Sequence, residues 1–209
     1  MASTTRNRRD DSEQPTATEV QLLAAVERLL KTGHVFTEIS VRQIIEEAGV
    51  SRASFYTHFR DKAQLLLRLS DSLRSRLLEM AREWNPGAGE DGADRYAKFF
   101  VEVIAIHREN FAILSALREL ASYDPTVRGF YTADLEGFDE AVHKTLVAEQ
   151  EAGRTPSDLD AVASSRVIVW GGSQAIARHI SVDDGSGDAA LARELGKIWW
   201  YGAYRRPGE

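Results

Sequence analysis

Apolar residues recur at helical spacing along nearly the whole chain. Thr16 and Glu19 form a capping-box pattern at the start of the first periodic segment. Leu22, Val26 and Leu30 then follow on one face of a helix. No stretch of alternating apolar and polar residues is long enough to indicate a strand. The pattern therefore predicts an all-α protein of about nine helices.

Interruptions of this pattern divide the chain into three parts. Residues 1–15 are polar and aperiodic, which predicts a flexible arm. Residues 16–62 hold short helical segments, and residues 63–209 hold longer ones. The Pro-Gly-Ala-Gly sequence at 86–89 predicts a loop after the fourth helix.

The starts of the last three helices are predicted from the sequence, the first two of them from capping residues. Asp124 is a predicted N-cap because Pro125 follows it at the first helical position. Ser157, with Asp160 three residues later, predicts the start of the eighth helix. The ninth is expected to run from Asp188 to the region of Tyr204.

Two short capped helices meet at Gly49, and their spacing is typical of a helix-turn-helix. Ser40 and Gln43 form a capping box at the first helix, and Ser51 caps the second. Both caps leave backbone amides at the helix N-termini for phosphate oxygens. From periodicity alone, a helical hairpin with a purely structural role explains the segment equally well.

The second of these helices has one apolar and one polar side. Phe55 and Phe59 are four residues apart and are predicted to face inward. The side chains left for the outer face are suited to hydrogen bonds with phosphates and base edges. They are Arg52, Ser54, Tyr56, Thr57 and His58.

The stretch GVSRASFYTHFRDKAQLL resembles the DNA-binding signature of the TetR family of bacterial repressors, and the likeness extends over about Leu22 to Leu69. The resemblance implies a helix-turn-helix domain at 16–62 and a ligand-binding and dimerisation domain at 63–209. It also implies a homodimer on a palindromic double-stranded operator, released by a small effector. The implied DNA-contacting residues are Tyr56, Thr57, His58 and Lys62, with Lys62 on a phosphate and with Arg52 and Ser54 as candidates for base reading.

The C-terminal part is similar to the branch of this family that contains the ethionamide-resistance repressor. The likeness lies in Phe99-Phe100, in the helix after Pro125 and in the Lys197-Ile198-Trp199 sequence.

The C-terminal helices carry many aromatic residues on stripes expected to face inward. Because the family binds effectors in a cavity of this domain, we expect part of these stripes to line one, although ordinary core packing is an alternative for each aromatic residue. Gly171 and Gly172 within the eighth helix require either close packing or space for a ligand. No buried charge pair stands out in the sequence, so we expect an apolar or amphipathic effector. The candidate ligand contacts are Phe100, Ile104, Tyr131, Leu135, Phe138, Trp170, Gln174 and Trp199.

The eighth and ninth helices are apolar on nearly all sides at Val167–Trp170 and Ile198–Tyr201. A helix that is apolar all round has both faces buried. We therefore expect these two helices to form the homodimer interface. Such a dimer presents two recognition helices about 34–36 Å apart, as successive major grooves require.

Charge is unevenly distributed along the 209 residues. The net charge is −6, but residues 1–70 hold 10 Lys and Arg against 9 Asp and Glu, and the remainder holds 16 against 23. The acidic excess therefore belongs to the C-terminal part, and the N-terminal part is able to face DNA.

Several chemistries are disfavoured by what the sequence lacks. The absence of Cys excludes disulfides and thiolate sites, and no apolar run is long enough for a transmembrane helix, so we expect a cytoplasmic protein. The five His residues lack metal-ligand spacing, and no catalytic or cofactor motif is found, so we expect no metal, no cofactor and no enzyme activity. His107 ends a helix, where the dipole favours a cation. The competing hypothesis is a helical module that senses a ligand or partner without reading DNA.

Overall fold

The computed structural model describes residues 15–86 and 92–205. Within these residues the protein has nine helices and no strand, which confirms the predicted fold class. The predicted arm lies outside the described residues except for Pro15, and so does the predicted loop except for Pro86.

The helices follow one another with short connections. The first seven are α1 (Ala17–Lys31), α2 (Val41–Ala48), α3 (Arg52–His58), α4 (Lys62–Glu83), α5 (Gly92–Glu109), α6 (Phe111–Ala121) and α7 (Pro125–Glu151). Two further helices contain a wider, π-helical turn. Helix α8 consists of Ala161–Arg166, the π-helical Val167–Gly171 and Gly172–Val182, and α9 consists of Asp188–Trp199 and the π-helical Trp200–Tyr204.

Local capping explains where the first helices begin and end. The Thr16 backbone amide donates to Glu19 Oε2 at 2.7 Å, and the Glu19 amide donates to Thr16 Oγ1 at 3.2 Å. Ser40 and Gln43 make the same reciprocal pair at the start of α2. Gly49 ends α2 with φ of 67°, a left-handed conformation that glycine adopts at little cost.

The predicted start of the eighth helix at Ser157 is wrong. The N-cap of α8 is Asp160, whose Oδ1 accepts a hydrogen bond from the Ala163 amide at 2.9 Å. The preceding segment is held as a turn because the Gln150 side chain donates to the carbonyl oxygens of Pro156 and Leu159, each at 2.9 Å.

The described residues form two compact units that divide between Leu65 and Leu66, three residues after the predicted boundary at Lys62. The first unit packs α1, α2 and α3 around a small core. Its fully buried side chains include Leu22, Val26, Phe36, Ile44 and Phe55.

The second unit is organised around the close packing of α5 against α9. A Cβ atom at Gly196 would lie 2.7 Å from the Ala97 amide nitrogen and 2.8 Å from the Ala93 carbonyl oxygen. Only glycine therefore permits this helix separation. No helix in the described residues is long and apolar enough to cross a membrane.

Candidate DNA-binding helix and ligand cavity

Helix α3 is held by apolar anchors on one side and by a cap at its start. Phe55 is fully buried and Phe59 is nearly so, and their ring centroids lie 6.0 Å apart. Ser51 Oγ accepts a hydrogen bond from the Ser54 amide at 3.0 Å. These contacts fix which side of α3 faces outward.

The outward side of α3 presents polar groups. Tyr56 is 48% exposed, and the Arg52 guanidinium lies 5.7 Å from the centre of its ring. Thr57 is exposed, and its hydroxyl donates to the Ala53 carbonyl oxygen at 3.0 Å. Arg52, Tyr56 and Thr57 therefore form one accessible row of hydrogen-bonding side chains.

Ser54 and His58 lie at the edge of that row. The Ser54 hydroxyl is 2.9 Å from the Ser51 hydroxyl, and both oxygens belong to the cap. His58 Nδ1 lies 3.8 Å from Glu19 Oε1 on α1. Both residues are half-buried, so their side chains are engaged within the first unit.

Lys62 has an inward-facing position that its place in the signature does not suggest. Its ammonium group donates to the carbonyl oxygens of Phe36, Thr37 and Ile39 at 3.1, 2.7 and 2.8 Å. These carbonyls belong to the segment between α1 and α2. An ammonium group has three donors, and here each one faces a carbonyl.

Acidic residues of α2 are neutralised by neighbouring arginines. Glu47 Oε1 lies 2.6 Å from Arg28 Nε, and Glu46 Oε1 lies 2.7 Å from Arg42 Nε. Ser40, a predicted DNA contact, is exposed at the N-terminus of the same helix. Sequence reasoning overlooked Arg42, although its place in the first turn after the Ser40 cap was a usable signal.

The second unit contains a cavity of about 160 Å³ lined by helices α4 to α9. Its wall is mostly apolar and includes five of the predicted ligand contacts: Phe100, Tyr131, Leu135, Phe138 and Trp199. The remaining three are placed elsewhere. Ile104 is fully buried outside the wall, and Trp170 and Gln174 are exposed on α8.

Four acidic or basic residues in the wall were not among the ligand contacts predicted from the sequence. Arg74 and Asp134 face the cavity from α4 and α7, and His107 and Arg118 face it from α5 and α6. The helical period carried the signal, because His107 lies seven residues after Phe100, and Asp134 lies three residues after Tyr131.

Arg74 and Asp134 form a half-buried charge pair in the cavity wall that the sequence did not indicate. Arg74 Nε lies 2.6 Å from Asp134 Oδ1, and its guanidinium lies 4.0 Å from the centre of the Phe130 ring. Burial raises the pKa of Asp134 above its ordinary value, although the Arg74 guanidinium acts in the opposite direction.

His107 also differs from expectation, since its surroundings disfavour a cation. Burial lowers the pKa of His107, and the positive charge of Arg118 lowers it further. His107 Nδ1 lies 2.8 Å from the Val103 carbonyl oxygen. A carbonyl only accepts, so Nδ1 carries the proton and Nε2 carries the lone pair of the neutral ring.

The two glycines of α8 have different surroundings. A Cβ atom at Gly172 would collide with the Trp199 ring, whereas one at Gly171 would meet nothing within 4 Å. Gly172 and Trp199 both line the cavity. Close packing therefore explains Gly172 and leaves Gly171 unexplained within the chain.

His179, Asp183 and Asp188 bring three potential metal-ligating atoms within 4.8 Å of one another. Arg108 is a partner of this cluster, because it donates to both Asp188 carboxylate oxygens at 2.9 and 2.6 Å and to the Asp183 carbonyl at 2.9 Å. We assign this cluster to the attachment of the loop before α9.

Apolar side chains of α8 and α9 are exposed on the surface of the chain. Val167 is 67% exposed and Trp170 is 38% exposed, while Ile198 and Tyr201 are 59% and 58% exposed. Their neighbours Ile168 and Val169 line the cavity instead. The π-helical turn of α8 thus has one face in the cavity and another at the surface.

Comparison with known proteins gives consistent matches. The sequence model "Bacterial regulatory proteins, tetR family" matches residues 22–69. The HTH-type transcriptional regulator EthR of Mycolicibacterium smegmatis is 30% identical over 162 residues, which are 76% of this chain and 73% of that protein.

Solved structures share the fold at lower identity. Salmonella enterica GusR has a TM-score of 0.73 and 18% identity, with 94% of this chain and 100% of that chain covered. A TetR transcription regulator from Haloarcula marismortui has a TM-score of 0.70 and 18% identity, with 89% and 97% covered.

Proposed function

The chain belongs to the TetR family of bacterial transcriptional regulators, and from this premise we propose that it is a homodimeric repressor that binds a palindromic operator in the cytoplasm and is released by a small amphipathic effector. The family consists of DNA-binding regulators rather than enzymes. The observation that carries the proposal is the outward row of α3, held by two buried phenylalanines and leaving Tyr56 accessible.

The proposed DNA surface is centred on α3. Arg52, Tyr56 and Thr57 enter the major groove, where Arg52 reads a base edge and the hydroxyl groups contact phosphates. The amides at the N-termini of α2 and α3, beside Ser40 and Ser51, face phosphate oxygens. Ser54, His58 and Lys62 support this surface from within, because each is engaged by another part of the first unit.

The proposed dimer interface is formed by α8 and α9. Val167, Trp170, Ile198 and Tyr201 leave apolar area exposed that a partner subunit buries. An interface of this kind also sets the separation of the two recognition helices.

The proposed effector site is the cavity of the second unit. A volume of about 160 Å³ is sufficient for a small organic molecule, since one water needs only about 10–15 Å³ on the same measure. Helix α4 carries Lys62 at its start and contributes Ser70 and Arg74 to the cavity wall. We propose that effector binding shifts the population towards a state whose recognition helices no longer fit successive grooves.

The test of the DNA-binding role is a mobility-shift titration with DNA from upstream of the protein's own gene. Tyr56→Ala is compared with Tyr123→Ala, because Tyr123 is 61% exposed in the second unit. We expect Tyr56→Ala to weaken binding about tenfold or more and Tyr123→Ala to leave it unchanged.

Salt provides the second measurement in that titration. A DNA-binding repressor loses affinity steeply between about 50 and 200 mM salt. Equal binding by wild type and the double variant Arg52→Ala with Tyr56→Ala contradicts the proposed surface. Failure to bind any upstream DNA at low salt favours a sensing module that does not read DNA.

A further inference from the structure

The charges in the cavity wall do not balance. Arg74, Arg118 and Asp134 are the charged residues that line it, beside the neutral His107. Arg74 is paired with Asp134 at 2.6 Å and also lies 3.3 Å from Asp71. The Arg74 charge is therefore compensated within the protein, and the question is what compensates Arg118.

Arg118 has only weak partners among the described residues. Its Nη2 lies 3.3 Å from the Ser115 hydroxyl, and its guanidinium lies 6.0 Å from the centre of the Phe111 ring. Within the described part of the chain, no carboxylate lies at ion-pair distance from it. The half-buried Arg118 guanidinium therefore borders the apolar wall without an ion-pair partner among the described residues.

His107 does not supply the missing negative charge, because its ring is neutral and its Nδ1 proton is already directed at the Val103 carbonyl. The end of the cavity formed by α5 and α6 therefore has one positive charge that no carboxylate of the described residues compensates. The rest of the wall is aromatic and aliphatic, with Phe99, Phe100, Phe138 and Trp199 among its members.

We propose that the effector is an amphipathic monocarboxylate whose carboxylate pairs with Arg118 while its apolar tail lies among the aromatic side chains of the cavity. This inference rests on the proposed function, since it names the ligand class of the same site. The planar guanidinium suits a carboxylate because two N–H groups reach its two oxygens together. A single negative charge matches the single uncompensated positive charge.

The test uses matched probes that differ only in the head group. Decanoate is compared with decanol, and 4-phenylbutyrate with 4-phenylbutanol, by calorimetric titration of the full-length protein without DNA. We expect the carboxylate of at least one pair to bind about tenfold or more tightly than its alcohol.

Three variants locate the preference. Arg118→Met removes the charge at similar length and is expected to abolish the difference between acid and alcohol while alcohol binding remains. Arg118→Lys retains the charge and is expected to retain part of the difference in affinity between acid and alcohol. Arg76→Met is the matched control, because Arg76 is exposed on α4 and does not line the cavity.

The outcomes separate this inference from the proposed function. Equal affinity of acid and alcohol, a preference that survives in Arg118→Met, or no binding of any probe overturns the carboxylate assignment. A carboxylate that binds preferentially through Arg118 but does not weaken operator binding in a mobility shift has a mixed meaning. It supports the carboxylate site and contradicts release of DNA by the effector. If the protein without ligand does not bind operator DNA, the proposed function is contradicted and the carboxylate assignment is not.

Discussion

The indole ring of Trp199 packs against Gly172 in the space that a Cβ atom would occupy. Trp199 is 8% exposed and its ring centre lies 4.6 Å from that of Phe100. The tryptophan is therefore enclosed on both sides, and the contact joins α8 to α9 at the cavity wall.

Gly172→Ala is expected to destabilise the protein because the enclosed Trp199 ring cannot move aside without losing packing contacts. Overpacking of this kind costs about 1–3 kcal/mol. Gly171→Ala is the control, since nothing lies within 4 Å of its Cβ position. At Gly171 the better helix propensity of alanine is expected to leave stability unchanged or raise it by up to about 1 kcal/mol. Urea unfolding measures both, and equal losses in the two variants contradict the packing explanation.

Lys62→Met is expected to lower the free energy of unfolding by about 1–3 kcal/mol, because three carbonyl oxygens lose a charged donor. Operator affinity falls as well, but the slope of affinity against salt is expected to stay the same. A lysine that contacts a phosphate would instead reduce that slope by about 1 when removed. Urea unfolding measures the loss of stability, and mobility shifts at several salt concentrations measure the slope. Together they distinguish a structural role of Lys62 from a phosphate contact.

Lys62→Arg sharpens the same prediction. The planar guanidinium does not match three carbonyls arranged around one nitrogen, so this variant is also expected to lose stability. A phosphate contact would tolerate the change. Full stability together with full DNA affinity in Lys62→Arg would show that the carbonyl contacts are unimportant.

Glu149 is expected to give a pH-dependent contribution to stability. It is 3% exposed and lies 2.6 Å from Arg154 and 3.0 Å from Arg205. Burial by itself raises the pKa of Glu149, but the hydrogen bonds from the two arginines outweigh it and hold the pKa below its ordinary value. The contribution is therefore present above the unfolded-state pKa of about 4.3 and is lost as the pH falls through the lower folded-state pKa.

Glu149→Gln measures this contribution. At pH 7 we expect a loss of about 1–2 kcal/mol, and the gap to wild type is expected to narrow below about pH 4. Glu140→Gln is the control, because Glu140 pairs with Lys144 at the exposed surface and little change is expected. If the difference in unfolding free energy between wild type and Glu149→Gln widens as the pH falls, the pKa of Glu149 is raised in the folded protein rather than lowered.

If the proposed dimer forms through α8 and α9, Ile198→Asp is expected to convert it to monomers, because the substitution would bury a charge without a partner in the proposed apolar interface. Val101→Asp is matched to it, since Val101 is also an exposed apolar residue, at 49%, but lies on α5. Sedimentation velocity over a range of concentrations gives the state of each. Dimers that persist in Ile198→Asp place the interface elsewhere.

Much of the fold is readable from the sequence because its determinants are local. The capping residues Thr16, Ser40 and Asp124 each act on amides within three residues, and all three cap the helices that they predict. Ser157 fails as a cap because the side chain of Gln150, on the preceding helix, holds the neighbouring carbonyls in a turn. Local patterns do not contain such contacts.

The candidate DNA-binding helix and the cavity likewise have features that the sequence predicts and features that only the fold determines. Periodicity places Phe55 inward and Tyr56 outward, because a helix fixes directions over a few residues. It does not show that the Lys62 ammonium turns to the segment before α2, or that Val169 faces a cavity while Trp170 faces the surface.

The sequence by itself thus determined the all-helical class, the helix-turn-helix and the family, since caps, periodicity and a contiguous signature are properties of neighbouring residues. Only the tertiary structure decided which ionisable groups meet. The pairing of Arg74 with Asp134 spans 60 residues, while Arg118 is left without a carboxylate among the described residues. The physical reason is that charge compensation depends on distances across the folded core, which no local pattern encodes.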